Sequence, residues 1–343
     1  MKSSFLLSAK IYFYMKTRYL LYPLLFLLSV AMSASSCSLF IPQERDIKEG
    51  SAFYAVDLLE IENLKGEEML FSDLIESLEI IKLDGREEAL VATYPSGIDV
   101  SSNYILIEPD GVSALKLFTR KGRYVADIGN PKAPIGKNLC WVQDFKGNIL
   151  QKIFAVNYAI VPDYSNEVLA PRNVDGYSFS LCQVVGRTRP DTLYHYDIAN
   201  NVLKPCFTLD NVMQEDKYIV TSLYETPEYY WSRVTIGPAK VPSDGSPVRM
   251  TVFNVRVSKK DGSVKRIDRF TNDFLGLSYP FLTMRNGYVC ISYDPLELMD
   301  ALDKVLAQTD LKPEIRKRAT GLRNSLHEND NDILMIGKLK SNY

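Results

Sequence analysis

Between Gly97 and Gly129 the apolar residues come in short runs, each cut off by a turn. Tyr104-Ile105-Leu106-Ile107, Leu115-Lys116-Leu117-Phe118 and Tyr124-Val125-Ala126-Asp127-Ile128 are β-branched, aromatic or alternating, and they predict strands. Pro109-Asp110-Gly111 and Arg120-Lys121-Gly122 supply the turns between them. Short strands joined by tight turns make an antiparallel meander. One such sheet cannot bury both of its faces alone, so it demands similar sheets packed beside it.

The same alternation continues to the end of the chain. Strands are predicted over 148–156 and 159–161, over 177–181 after Asp175-Gly176, and over 191–197 and 202–207 around Ala199-Asn200-Asn201. Further strands follow at 218–224 and 231–236. Two clear hairpins come next: 250–257 with 264–270 around Lys260-Asp261-Gly262, and 282–284 with 288–293 around Arg285-Asn286-Gly287. Helical spacing occurs late. Leu296, Met299, Leu302, Val305 and Leu306 define one helix, and a charged helix follows from Pro313 to Leu326. At roughly 40 residues per four-stranded blade, the length predicts an all-β, six-bladed β-propeller with a helical insertion at about 295–326 before the last strand. Early in the chain, 70–83 predicts a turn and then a strand with Leu78, Ile80, Ile81 and Leu83 as its apolar positions. Its expected partner is the last strand, 333–339, because pairing the two chain ends closes the ring and hides its edges.

Composition narrows the possibilities. Lys and Arg number 40 against 42 Asp and Glu, so there is no overall basic footprint for nucleic acid. Only two histidines are present, which argues against a His-rich metal site, and no motif for a cofactor stands out. Cys140, Cys182, Cys206 and Cys290 show no CxxC spacing and read as small half-buried hydrophobes rather than disulfide partners.

Residues 1–37 stand apart from this pattern. Lys16 and Arg18 precede an apolar run from Tyr19 to Met32, and Ser33-Ala34-Ser35-Ser36 then lead to Cys37. A basic start, a short apolar stretch and small residues form a secretory signal, and Met15 is the expected true start. Ending on cysteine, the segment resembles a bacterial lipoprotein signal. That resemblance implies lipidation at Cys37 and a membrane-anchored, exported protein, periplasmic or at the outer-membrane surface. Residues 38–69 are expected to be a tether and lead-in, with the propeller over 70–343.

Three stretches together resemble the six-bladed β-propeller lipoproteins of Bacteroidetes. They are the entry Phe71-Ser72-Asp73-Leu74-Ile75-Glu76-Ser77-Leu78-Glu79-Ile80-Ile81-Lys82-Leu83-Asp84, the blade ending that runs from Leu117 to Gly136, and the close from Glu328 to Lys340. The family's Gly-rich loop is reduced here to Lys132-Ala133-Pro134-Ile135-Gly136. The resemblance implies an exported propeller and carries no reaction with it.

Candidate chemistry is sparse. The stretch Tyr224-Glu225-Thr226-Pro227-Glu228-Tyr229-Tyr230-Trp231 is the most aromatic and acidic, and Tyr224, Glu225, Tyr229, Tyr230 and Trp231 could form a stacking platform for a sugar or peptide. Ordinary packing between blades is the competing reading. His195, in Tyr194-His195-Tyr196-Asp197, is a candidate binding residue or general base, although its strand neighbours point to the opposite face. His327 reads as solvated. Glu328-Asn329-Asp330-Asn331-Asp332 is rich in oxygen ligands but lacks the Gly and distal Glu of an EF-hand loop, so it reads as a solvated turn. The functional expectation is therefore a binding or scaffolding module at the cell envelope with a protein or glycan partner. The alternative is a propeller-type enzyme of the lyase, lactonase or glycosidase kind, with a purely structural envelope component as a third reading.

Overall fold

The computed structural model describes residues 53–91, 95, 97–109, 114–128, 138–143, 148–154, 167–169, 171–176, 178–182, 191–210, 217–238 and 248–343. Cys37, the expected signal, the expected tether as far as residue 52, and Asp110 and Gly111 of the expected turn lie outside them, as do the side chains of Cys140 and Cys182.

The described chain is all-β apart from a few short helices, and its sheets take a propeller arrangement. The meander predicted after Gly97 is a four-stranded antiparallel sheet: Gly97–Val100, Tyr104–Glu108, Leu115–Thr119 and Tyr124–Ile128, paired in chain order. A two-stranded hairpin follows, Asn138–Gln143 with Ile149–Phe154. Glu167–Leu169, Ser178–Cys182, Thr192–Asp197 and Val202–Asp210 form the next sheet, called here the histidine sheet. Lys217–Glu225, Tyr229–Pro238, Thr251–Ser258, Val264–Asn272 and Leu277–Tyr279 form the glutamate sheet. In the closing sheet, Met284–Arg285 and Tyr288–Tyr293 lead to Ile333–Leu339, which pairs with Ile75–Lys82 from the other end of the chain.

That last pairing is the expected closure. Met335 lies opposite Ile80 and Gly337 opposite Leu78 in antiparallel register. Gly337 is required there by proximity, since a Cβ would come within 2.4 Å of the Ile75 side chain. The turn at Arg120-Lys121-Gly122 reaches over to the same strand. Gly122 has φ +80°, and a Cβ on it would meet the Lys82 carbonyl oxygen at 2.2 Å. Among the described residues the turns at Asn201, Gly262 and Asn286-Gly287 form where predicted, all at positive φ.

The hydrophobic core is split into layers between sheets, as stacked blades require. Leu193, Phe207, Val234, Phe253 and Val255 fill the space between the histidine and glutamate sheets. Phe71, Trp231, Phe270, Met284, Leu298, Leu302 and Met335 fill the next, against the closing sheet and the helices. Ile105, Ile107, Phe118, Leu334 and Ile336 fill the layer between the closing sheet and the first meander.

Four blades stand among the described residues where the length predicts six. The physical reason lies in how the chain is used. Glutamate-sheet strands run to ten residues, such as Tyr229–Pro238, so one blade consumes more chain than the average repeat. The lead-in adds edge strands to existing sheets: Tyr54–Asp57 pairs parallel with Val202–Asp210, and Glu67–Leu70 pairs parallel with Val264–Asn272. Leu58 and Ile61 of the short helix between those two strands are 1% exposed, so the described part of the lead-in is folded structure.

Helices Pro295–Leu306 and Pro313–Ser325 form the expected insertion. Asp294 caps the first, accepting from the Leu296 and Glu297 amides. Its buried face is Pro295, Leu298, Leu302 and Val305, whereas Leu296 is 52% exposed. Of the expected stripe, Leu302 and Val305 are buried and Met299 and Leu306 pack against the same core, while Leu296 faces solvent and Pro295 and Leu298 complete the buried face. In the entry strand, likewise, Ile81 is buried and Ile80 is exposed.

The acidic loop before the last strand is a solvated turn at Glu328 and Asn329, which are exposed, but from Asp330 on it is tied into the surrounding structure. The Asn331 amide donates to the carbonyls of Asp84 and Ala89, while its oxygen accepts from the Val91 amide. Lys82 pairs with Asp330 at 2.7 Å, and Ser292 donates to Asp332 at 2.6 Å. Burial pushes the Asp332 carboxyl up from 3.8 to about 6; the Ser292 hydroxyl opposes that shift, and Asp294 and Glu297 add to it. The folded chain therefore holds this proton more tightly than the unfolded chain does. Its contribution to stability is full below about pH 4 and is lost as pH rises through about 6. Asp332→Asn is expected to remove that slope and to stabilise the protein at pH 7 by on the order of 2 kcal/mol. Denaturant midpoints for both proteins at pH 4, 5, 6 and 7 check this; parallel pH profiles would refute it.

Candidate functional site

Strand pairing brings three distant segments to one end of the histidine and glutamate sheets. In the histidine sheet, Tyr194 pairs with Pro205 and Leu193 with Phe207, which leaves Cys206 as the extra residue of a β-bulge. Bulges re-aim side chains, and Pro205, which cannot donate to the ladder, sits at this one. Glu225 ends the strand Lys217–Glu225 and pairs with Tyr230 across a tight turn. Lys259 follows directly on Thr251–Ser258. Its backbone is held on both sides, with its amide donating to the Glu228 carbonyl and its carbonyl accepting from the Tyr54 hydroxyl.

Glu225 is the centre of the site. Its carboxylate is 1% exposed, with Oε1 2.7 Å from His195 Nε2 and Oε2 2.5 Å from Lys259 Nζ. Burial alone would raise its pKa, but the His195 hydrogen bond and the Lys259 charge outweigh burial and lower it. The group is therefore an ionised, buried carboxylate. A carboxylate only accepts, so His195 Nε2 is the donor and carries the imidazole proton. The His195 side chain is 46% exposed and that of Lys259 22%, so both present a face to solvent while anchored from below. Cys206 Sγ lies in the same cluster, within 4.8 Å of the ligand atoms of His195 and Glu225. It donates to the Leu193 carbonyl, and burial together with the Glu225 charge pushes the thiol up to about 12, so it is a neutral thiol rather than a nucleophile.

A second buried group ties this end of the structure together. Asn173 Nδ2 donates to the carbonyls of Glu225 and Met284, and Asn173 Oδ1 accepts from the Gly287 amide at 3.0 Å. The neighbouring Pro171 carbonyl accepts from the Asn286 amide, and the Asn286 side chain donates to Asp99 of the first meander. Arg172 of the same loop pairs with Asp99 at 3.7 Å, so one short loop next to the histidine sheet contacts three other sheets.

The structure places the sequence candidates unevenly. His195 and Glu225 come together, and the acidic partner of His195 is not the adjacent Asp197, which instead binds Lys204 and Asn200. Tyr224, Tyr230 and Trp231 are packed inside. Trp231 is 0% exposed, stacked at 3° on Tyr224, with its Nε1 donating to Thr226. Tyr230 stacks on Phe207 and lies beneath the Lys259 ammonium. Their faces are covered by protein, so they offer no platform for a sugar. Tyr229 is half-buried, between Arg256 and Tyr343. His327 is exposed, as expected. Cys206 and Cys290 are free thiols. Lys259 and Cys206 were missed by sequence reasoning. Pro205 inside a strand pattern was the available signal for the bulge, whereas nothing in Lys259-Lys260-Asp261-Gly262 marks the first lysine.

No family model matches this chain, and no curated protein matches it. Among solved structures, a crystal structure of a candidate exported protein from Bacteroides fragilis aligns over 84% of this chain and all of its own, with a TM-score of 0.50 and 12% identity. At that identity the likeness is one of fold.

Asn173→Ala would leave two carbonyls and one amide without their partner in a buried junction. A loss of about 3 kcal/mol in unfolding free energy is expected, measured by chemical denaturation. A change within 0.5 kcal/mol, roughly the range of ordinary surface substitutions, would show that the junction does not hold the sheets together.

Proposed function

We propose that the protein is an exported propeller, lipid-anchored at Cys37, that works as a binding module at the cell envelope. Its docking point is the rim formed by His195 and Lys259. The observation that carries this reading is the buried Glu225 carboxylate clamping two polar groups at the surface in fixed positions, the Lys259 ammonium as a donor and His195 with Nδ1 left as an acceptor. Groups held in place before binding lose little entropy when a partner arrives. With most of the aromatic stretch committed to the core, recognition falls to hydrogen bonds and charge. The partner is accordingly an envelope protein or glycan that presents a carboxylate or similar acceptor to Lys259 and a donor, such as a hydroxyl, to His195. The envelope location rests on the signal-like residues 1–37 and on the lipoprotein resemblance, and the shared fold with a candidate exported protein agrees with it.

The same pair favours one alternative, an enzyme of the lyase, lactonase or glycosidase kind. Glu225 fixes the proton on Nε2 and leaves Nδ1 of His195 as a possible base.

In-cell cross-linking followed by affinity capture tests the binding reading. One dominant partner is expected for the wild type, lost with Cys37→Ala and reduced at least about tenfold with His195→Gln combined with Lys259→Met. Capture of the same partner at unchanged yield by the double variant would overturn the assignment of the rim. Turnover of a carbohydrate or lactone substrate that is abolished by His195→Gln would favour the enzyme.

A further inference from the structure

His195, Cys206 and Glu225 bring one nitrogen, one sulfur and one oxygen donor to a single point, all within 4.8 Å of one another. Donor atoms on a tetrahedral zinc ion, with bonds near 2.0–2.3 Å, are about 3.5 Å apart, so small rotations close the set. Cys206 and Glu225 are each also positioned by structure outside the set, and His195 is held by Glu225. The bulge at Leu193 and Tyr194 leaves Cys206 as the unpaired residue of its strand. Lys259 holds the second oxygen of Glu225, as an outer hydrogen bond holds a monodentate carboxylate ligand. His195 stands opposite Ser178 in the ladder, and such cross-strand partners share a sheet face. Ser178 is 2% exposed, and its hydroxyl has no hydrogen-bond partner among the described residues.

We infer that His195 Nε2, Cys206 Sγ and Glu225 Oε1 form a binding site for one Zn²⁺ ion. The donor set selects the metal: Ca²⁺ and Mg²⁺ take oxygen ligands, whereas mixed N, S and O donors suit zinc. Three protein ligands leave a fourth position, and the half-exposed side of His195 opens it to solvent or to a ligand. On binding, the Cys206 S–H bond breaks, its proton passes to the buffer, and the thiolate donates a lone pair to the metal. The imidazole stays neutral and moves its proton from Nε2 to Nδ1. One thiolate and one carboxylate offset the divalent ion, and the positive charge of Lys259 that remains favours an anion such as hydroxide in the fourth position. The inference does not depend on any partner docking at the rim.

The test uses the full chain, purified without a metal-binding tag, loaded with Zn²⁺ and passed through gel filtration. One zinc per chain is expected by elemental analysis. Replacing zinc with Co²⁺ should give a near-ultraviolet thiolate-to-cobalt charge-transfer band. Cys206→Ser should abolish that band and weaken zinc binding at least about tenfold. His195→Gln, on a half-exposed ring that the fold tolerates, should weaken binding similarly, while His327→Gln and Cys290→Ser should leave it unchanged. Zinc absent after filtration would overturn the inference, as would a charge-transfer band that survives Cys206→Ser, or equal affinity in His195→Gln. Retained zinc together with failed partner capture would leave this site standing and sink only the docking role.

Discussion

A buried ionised carboxylate is tolerated only if its charge is met on the spot, and Glu225 imposes that condition on everything around it. Both of its oxygens are taken, one by His195 and one by Lys259. Those two side chains come from different sheets, so the carboxylate sets the distance between the histidine sheet and the end of the glutamate sheet. The Glu225 carbonyl is held in turn by Asn173, whose other contacts reach the closing sheet at Met284 and Gly287. Removing either partner would leave a charge in the core that water reaches poorly.

Around that junction the architecture is a matter of layers. Among the described residues three apolar clusters fill the spaces between neighbouring sheets: histidine and glutamate, glutamate and closing, closing and first meander. Such a stack has exposed ends unless the first and last sheets meet. The pairing of Ile75–Lys82 with Ile333–Leu339 builds one sheet from both chain ends. Gly122 and Gly337 mark where backbone passes too close for a side chain, and both contacts involve the entry strand. The acidic knot at Asn331 and Asp332 locks the same closure from its other end.

Much of this arrangement was legible in the sequence, because strands and hairpins leave local marks. The meander after Gly97, the turns at Gly262 and Asn286-Gly287, the helical pair and the closure by the two ends all follow from periodicity and turn chemistry. The blade count was not legible, since it depends on strand length and on parallel edge strands such as Tyr54–Asp57, which pair across great sequence distance. The site was half legible. Glu225 and His195 were singled out separately, but the aromatic run around Glu225 belongs mostly to the core. Sequence cannot tell a buried stack such as Tyr224 on Trp231 from an exposed platform, because both need the same residues. Lys259 and Cys206 were hidden because register and a bulge, rather than spacing, bring them in.

The central claim is that Glu225, ionised and buried, fixes His195 from below. The chain has only two histidines, so a long-range ¹H–¹⁵N spectrum of the metal-free protein contains two imidazole patterns, and His327→Gln assigns them. The account predicts that His195 is held as the Nε2–H tautomer and that this state is lost in Glu225→Gln. An imidazole that carries its proton on Nδ1, or that averages between tautomers like the exposed His327, would contradict it.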